Sequence, residues 1–202
     1  MEPTTTTTAA AVAVEDVKTK FIYECPDDYE GINLPSVFLA GGITGCPDWQ
    51  SEMKTKLREG CPELLIFNPR RATFDVTDES AFDTQVRWEE RHLYRAHVIL
   101  FWFPKETVCP ITLFELGKWM ALAPLEGKEI IVGCHPEYTR RRDVKLQLDL
   151  YYEYNVPVYS SIEEVFAETK KCCDRYLDGD DYRVKEEKYE SEGCYSDDYG
   201  QE

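Results

Sequence analysis

Five short apolar runs, each followed by a longer stretch of mixed polarity, constrain this chain more than any other feature. They are SVFLAGGI (36 to 43), LLIFN (64 to 68), VILFWF (98 to 103), EIIVGC (129 to 134) and PVYS (157 to 160). Short continuous apolar runs bounded by turn residues read as strands buried on both faces. Strands of that kind occur in parallel sheets covered by helices. The intervening stretches can supply those helices. In PDWQSEMKTKLREG (47 to 60), Trp49, Met53 and Leu57 recur at i, i+4 and i+8, and Gly60 lies near the end. Further helices are expected at about 82 to 96, in CPITLFELGKWMALAP (109 to 124) and through RRDVKLQLDLYYEYN. Ser161-Ile-Glu-Glu164 is a capping box that opens the last one.

Alternating strands and helices predict an α/β fold: a flavodoxin-like, Rossmann-like three-layer sandwich around a five-stranded, mainly parallel sheet. In that architecture a ligand sits in the crevice at the carboxyl ends of the strands. The segment FIYECPDDYEGINLP (21 to 35) fits either an edge strand or an extended arm closed by a turn at Pro35. Residues 1 to 20 are Thr/Ala-rich and are expected to be disordered. Residues 174 to 202 carry eleven acids against four bases and read as an acidic, flexible tail. A single domain over 21 to 173 remains.

Charge and cysteine usage narrow the partners. Lys+Arg 23 against Asp+Glu 39 gives a net charge of -16, which repels nucleic-acid polymers and anionic membranes. A small nucleotide is still admitted, given a local basic pocket. No run of 18 or more apolar residues is present, and the start lacks a basic n-region, so a cytoplasmic location is expected. The eight cysteines show no CxxC spacing. They read as reduced thiols, and neither a metal nor a cofactor is expected.

Candidate site residues fall just after the strands. LAGGITG places Gly41 and Gly42 after the first run, but it is not the GxGxxG fingerprint. Adjacent glycines allow positive φ and close approach of a ligand; a tight turn with nothing bound needs them equally. In FDTQVRWEERHL, helical spacing puts Phe82, Val86, Glu89 and Leu93 on one inward stripe, with Gln85 one turn before the acid. A carboxylate there is either chemical or paired with Arg70, Arg71 or Arg87. NPRR (68 to 71) ends the second run, with Asn68 suited to a turn and two arginines able to hold an anion. Arg140, Arg141 and Arg142 either reach an anion or a partner subunit's acids, or form a solvated turn. Glu115 stands among Leu113, Phe114, Leu116, Trp119 and Met120. Thr112-Leu-Phe-Glu115 matches a capping box, which would place Glu115 in the first helical turn, where a carboxylate stays ionised.

Taken in order, FLAGGITG (38 to 45), NPRR (68 to 71), QVRWEERHLYRAHVILFWFP (85 to 104) and TLFELGKWMA (112 to 121) resemble the nucleoside 2-deoxyribosyltransferase family and the related deoxynucleoside-monophosphate N-glycosidases. The resemblance covers about residues 36 to 160. It implies a flavodoxin-like homo-oligomer, a dimer or larger, acting on a nucleoside or nucleotide. By resemblance, Glu115 in the ELG element is the nucleophile that forms a glycosyl-enzyme ester. Glu89 matches the acid on the preceding helix that positions the substrate and handles the base's proton. Gly41, Gly42 and Ile43 form the sugar-binding turn, and Asn68, Arg70, Arg71, Gln85 and Trp88 complete the substrate-binding set. One position departs from the pattern: Cys109 stands where transferases carry a base-reading aspartate. Cleavage of a nicotinamide dinucleotide, or nucleotide binding without catalysis, are the alternative functions.

Overall fold

The structure, a computed structural model, describes residues 21–31, 33–73, 78–150 and 156–178. Its strands are β1 (Ile22–Glu24), β2 (Ser36–Gly41), β3 (Leu65–Asn68), β4 (Val98–Phe103), β5 (Glu129–Cys134) and β6 (Val158–Tyr159). The helices are α1 (Trp49–Gly60), α2 (Glu79–Arg95), α3 (Pro110–Leu122), α4 (Arg141–Asp149) and α5 (Ile162–Leu177). The strands form one parallel sheet in the order β1-β3-β2-β4-β5-β6.

Six strands therefore replace the expected five. The additional one is β1, which pairs Ile22 with Ile66 and Glu24 with Asn68 at the sheet edge. All three of its residues are only partly buried, so the segment carries no strong apolar run to mark it. The other five strands follow a flavodoxin-like order, with the chain reversing direction of travel between β2 and β4. Gly41 is level with Trp102 across that boundary. The crevice of such a fold opens there.

Alternation along each strand divides the core. Phe38, Phe67, Ile99, Phe101, Phe103 and Val132 face one way, under Trp88 and Leu93 of α2, Leu116 and Trp119 of α3, and Val144 and Leu148 of α4. Val37, Leu39, Ile66, Val98, Leu100 and Ile131 face the other way, under Met53 and Leu57 of α1 and Val165 and Cys173 of α5. Two packed faces on one sheet make the three layers.

The helix ends show how the local chemistry is used. Glu164 N–H donates to Ser161 Oγ at 3.1 Å, and the Glu164 carboxylate accepts from Ser160 N–H at 2.7 Å, one residue before the expected partner. α2 begins at Glu79, earlier than expected, because Asp78 Oδ1 accepts from Ser80 N–H and Ala81 N–H. α5 continues to Leu177, four residues into the segment read as tail. The rest of that tail, residues 1 to 20, and 151–155 at the end of the expected RRDVKLQLDLYYEYN helix lie outside the described residues.

Candidate active site

At the carboxyl ends of β2 and β4 lies a hollow of about 480 Å³, within the size range of small-molecule sites. Four segments build it: the end of β2 with the turn Gly41–Thr44, the loop after β3 with Pro69 and Arg71, one face of α2, and the start of α3 with the loop before it. Its lining is mostly apolar, and it holds two carboxylic acids, Glu89 and Glu115.

The glycines of the turn are needed for close approach, not for positive φ. A side chain on Gly41 would lie 2.5 Å from both the Trp102 carbonyl and the Trp49 ring. On Gly42 it would collide with Cys46 and Cys109. Only Gly45, further along, has a positive φ in this turn, at 70°. The turn is fixed from behind, since Trp49 Nε1 donates to the Gly42 carbonyl at 3.0 Å. Buried Gln50 adds a longer contact to the same oxygen at 3.4 Å.

The NPRR motif divides into scaffold and lining. Asn68 is buried; its amide donates to Glu24 at 2.9 Å, and its Oδ1 accepts from Arg70 N–H at 3.1 Å. Arg70 donates to Gln50 Oε1 at 2.9 Å and to the carbonyls of Ile43 at 3.2 Å and Pro47 at 3.0 Å. Asn68 and Arg70 thus brace the glycine turn and do not line the hollow. Arg71 does line it, with Nε and Nη2 at 3.2 and 3.0 Å from Cys25 Sγ.

On α2 the expected inward stripe is corrected. Phe82 and Val86 are 55% and 49% exposed and line the hollow. The face packed on the sheet carries Trp88, His92 and Leu93 instead. Trp88 is fully buried, stacked on His92 at 4.0 Å, with Nε1 donating to the Asp27 carbonyl. It therefore lies in the core and does not line the hollow. Gln85 and Glu89 sit with Phe82 and Val86 on the hollow side. Gln85 Nε2 donates to Glu89 Oε1 at 2.7 Å and to the Pro69 carbonyl at 2.8 Å. Gln85 Oε1 is buried without a hydrogen-bond partner among the described residues.

Glu115 is also placed differently from the capping-box reading. The helix starts at Pro110 with Cys109 as N-cap, in the left-handed region at φ 50°. Proline's missing N–H costs nothing at the first helical position, so the sequence Cys-Pro fixes the start there. Thr112 is consequently inside the helix, and Glu115 falls in the second turn, beyond the strong field of the N-terminus. No hydrogen bond or ion pair to its carboxyl occurs among the described residues. Burial, and then the neighbouring acids Glu89 and Glu90, push Glu115 up to about 8. Lys118, which would lower it, is engaged by Glu90. Burial also raises Glu89, while Gln85 and Arg71 oppose that rise. The two carboxyls thus carry less than two full negative charges at neutral pH.

Sequence reasoning missed several wall residues. Phe38 and Ala40 lie on the wall, Thr107, Ile111 and Thr112 around it. Tyr138 Oη donates to the Val108 carbonyl at 2.7 Å and holds the loop that delivers α3. The alternation of β2 could have indicated Phe38 and Ala40; nothing local marks Tyr138. The arginine triplet takes no part: Arg141 donates to Ser160 Oγ at 2.8 Å, and Arg140 pairs with Asp143. Among the described residues there is no group of His, Cys, Asp and Glu able to hold a metal, and no helix long and apolar enough to cross a membrane.

Residues 34–138, more than half of the chain, match the family model described as nucleoside 2-deoxyribosyltransferase like. No curated protein matches the chain. The chain belongs to the nucleoside 2-deoxyribosyltransferase-like family.

Proposed function

We propose that this family member breaks the N-glycosidic bond of a (deoxy)nucleoside or nucleoside monophosphate through a covalent glycosyl ester on Glu115. The observation that carries the reading is an unpartnered carboxyl, Glu115, sharing an apolar hollow with a second acid, Glu89. Two carboxyls with raised pKa values are poor structural elements, because each is desolvated without full compensation. They suit a reaction whose transition state is a cation. As the bond from C1′ to the base lengthens, positive charge grows on the sugar ring, and an apolar enclosure strengthens its attraction to both acids.

The proton inventory fits the same chemistry. In the free chain the raised Glu115 carboxyl holds a proton, and the step requires that proton to pass to Glu89. The Glu115 oxygen thus ionised attacks C1′, the C–N bond breaks, and Glu89 delivers the proton to the departing base. Gln85 fixes the Glu89 carboxyl through Nε2 for this transfer. Water, or a second base, then releases the sugar from Glu115. Cys109 on the wall, its thiol pushed up to about 11 by burial, is neutral and cannot read a base as a carboxylate would; this favours water as the acceptor. Arg71 on the lining supports a substrate carrying phosphate. The exposed apolar side chains Phe82, Ile111 and Phe114 beside the site support a homo-oligomer.

The test is incubation of the purified chain with nucleosides, their 5′-monophosphates and a nicotinamide dinucleotide, followed by chromatography of free bases. Base release from a nucleoside or monophosphate, lost in Glu115→Gln, is the expected result. Saturable binding without any product identifies a binding module instead. Release from the dinucleotide alone assigns the other substrate class.

A further inference from the structure

Behind Gly42 two sulfurs converge from opposite sides of the site. A methyl group at that glycine would lie 2.5 Å from Cys46 Sγ and 2.8 Å from Cys109 Sγ, so the sulfurs are no further apart than the sum of those distances. Both also contact one hydroxyl: Thr107 Oγ1 is 3.3 Å from Cys46 Sγ and 3.2 Å from Cys109 Sγ. Cys46 belongs to the loop that follows the glycine turn, and Cys109 caps the helix that carries Glu115. The proposed glycosyl chemistry uses neither thiol.

We propose that Cys46 and Cys109 form a peroxide-reactive dithiol whose disulfide ties the loop after the glycine turn to the start of α3 beside the hollow. Cys46 is partly exposed and meets the oxidant first, while Cys109 is buried. The Cys46 thiolate attacks one peroxide oxygen; the O–O bond breaks, leaving a sulfenic acid and, with the thiol's proton, one water. Cys109 sulfur then attacks the sulfenic sulfur. The S–S bond forms, the S–O bond breaks, and the hydroxyl leaves with the Cys109 proton as a second water. Two thiols are oxidised and the peroxide is reduced, with no other reactant. Burial, which keeps Cys109 protonated, makes it the resolving partner and not the first target.

An S–S bond of about 2.05 Å requires the sulfurs to close on each other. Cys46 is the side that yields, since it follows Gly45 in an exposed turn, whereas Cys109 is buried at a helix start. Gly41, Gly42 and Ile43 are on the hollow's wall and are held by Trp49 and Arg70, so the bond locks that wall to the start of α3. The inference does not depend on the hollow being catalytic.

Full-length reduced protein is treated with hydrogen peroxide, its remaining thiols are alkylated, and the products are mapped by peptide mass. The expected result is loss of two alkylatable thiols, a Cys46–Cys109 cross-linked peptide, and its disappearance with dithiothreitol. Cys46→Ser and Cys109→Ser each abolish that peptide; Cys46→Ala replaces the first should it misfold. A sulfinic acid on Cys46 with Cys109 still alkylatable, a cross-link preferring any other pair, or no loss of thiols overturns the proposal.

Discussion

The two sides of the hollow treat buried polar groups in opposite ways. On the strand side, Glu24, Asn68, Arg70 and Gln50 satisfy one another, and Lys54 closes the set on Glu24. On the helix side, Glu115 has no hydrogen-bond or ion-pair partner among the described residues, and Glu89 has one neutral donor, Gln85, with Arg71 lowering its pKa. A satisfied network is what a scaffold needs, because every unpaired group in it would cost stability. An unsatisfied acid needs another reason to be kept, and the proposed reaction supplies one for Glu115. Abundance of polar residues therefore does not distinguish the two sides; two acids facing one apolar hollow do.

That contrast is broken or sharpened by substitutions on each side. The largest effect is expected from Glu115→Gln, which is to reduce base release by about 10³-fold or more while leaving the fold intact. Retained turnover in that variant ends the comparison. Next in size is a pair on α2: Trp88→Ala is to cost about 3–5 kcal/mol of stability, as truncation of a fully buried aromatic does. Phe82→Ala, on the exposed face of the same helix, is to leave the unfolding free energy within about 0.5 kcal/mol of the wild type and raise KM instead. Equal destabilisation by both would return Phe82 to the core.

A smaller loss belongs to the scaffold. Asn68→Ala removes the acceptor of Arg70 N–H and a donor to Glu24, and is to destabilise by roughly 1–3 kcal/mol, read by urea titration. Its effect on kcat is to follow only from loss of folded protein. The smallest expected effect concerns pH. Glu115 is pushed up to about 8 in the folded chain, against an ordinary 4.5 when unfolded. Between those values the folded state holds a proton that the unfolded state has released, so stability falls as pH rises through that window. Glu115→Gln removes this contribution. Its Tm is to exceed that of the wild type by about 2 °C or more at pH 8.5, and the gap is to vanish near pH 4. A gap that widens toward low pH contradicts the raised value.

The sheet was legible because its central strands are buried on both faces and must be apolar throughout; VILFWF and EIIVGC coincide with β4 and β5. β1 was ambiguous since an edge strand of three half-buried residues needs no such run. The stripe on α2 was misread for a more instructive reason. Phe82 and Val86 are apolar toward a hollow, and Trp88 and Leu93 are apolar toward the sheet, so the helix has two apolar faces and periodicity alone does not distinguish them. Glu89 and Glu115 stood out in the sequence as acids among apolar neighbours, but their settings did not. Thr112 and Glu115 have capping-box spacing, yet the helix starts at Pro110, three residues earlier than that box implies, and leaves Glu115 in the second turn. Arg70 and Arg71 are adjacent and chemically alike; only the structure separates a brace from a wall residue.

The central claim is that the Glu115 carboxyl bonds to the sugar. Acid quenching during turnover, followed by intact-mass spectrometry and peptide mapping of wild type and Glu115→Gln, tests it directly. A glycosyl increment on the peptide containing Glu115, absent from the variant, is the predicted result. Base release in the wild type with the adduct on another residue, or an adduct that persists in Glu115→Gln, contradicts it.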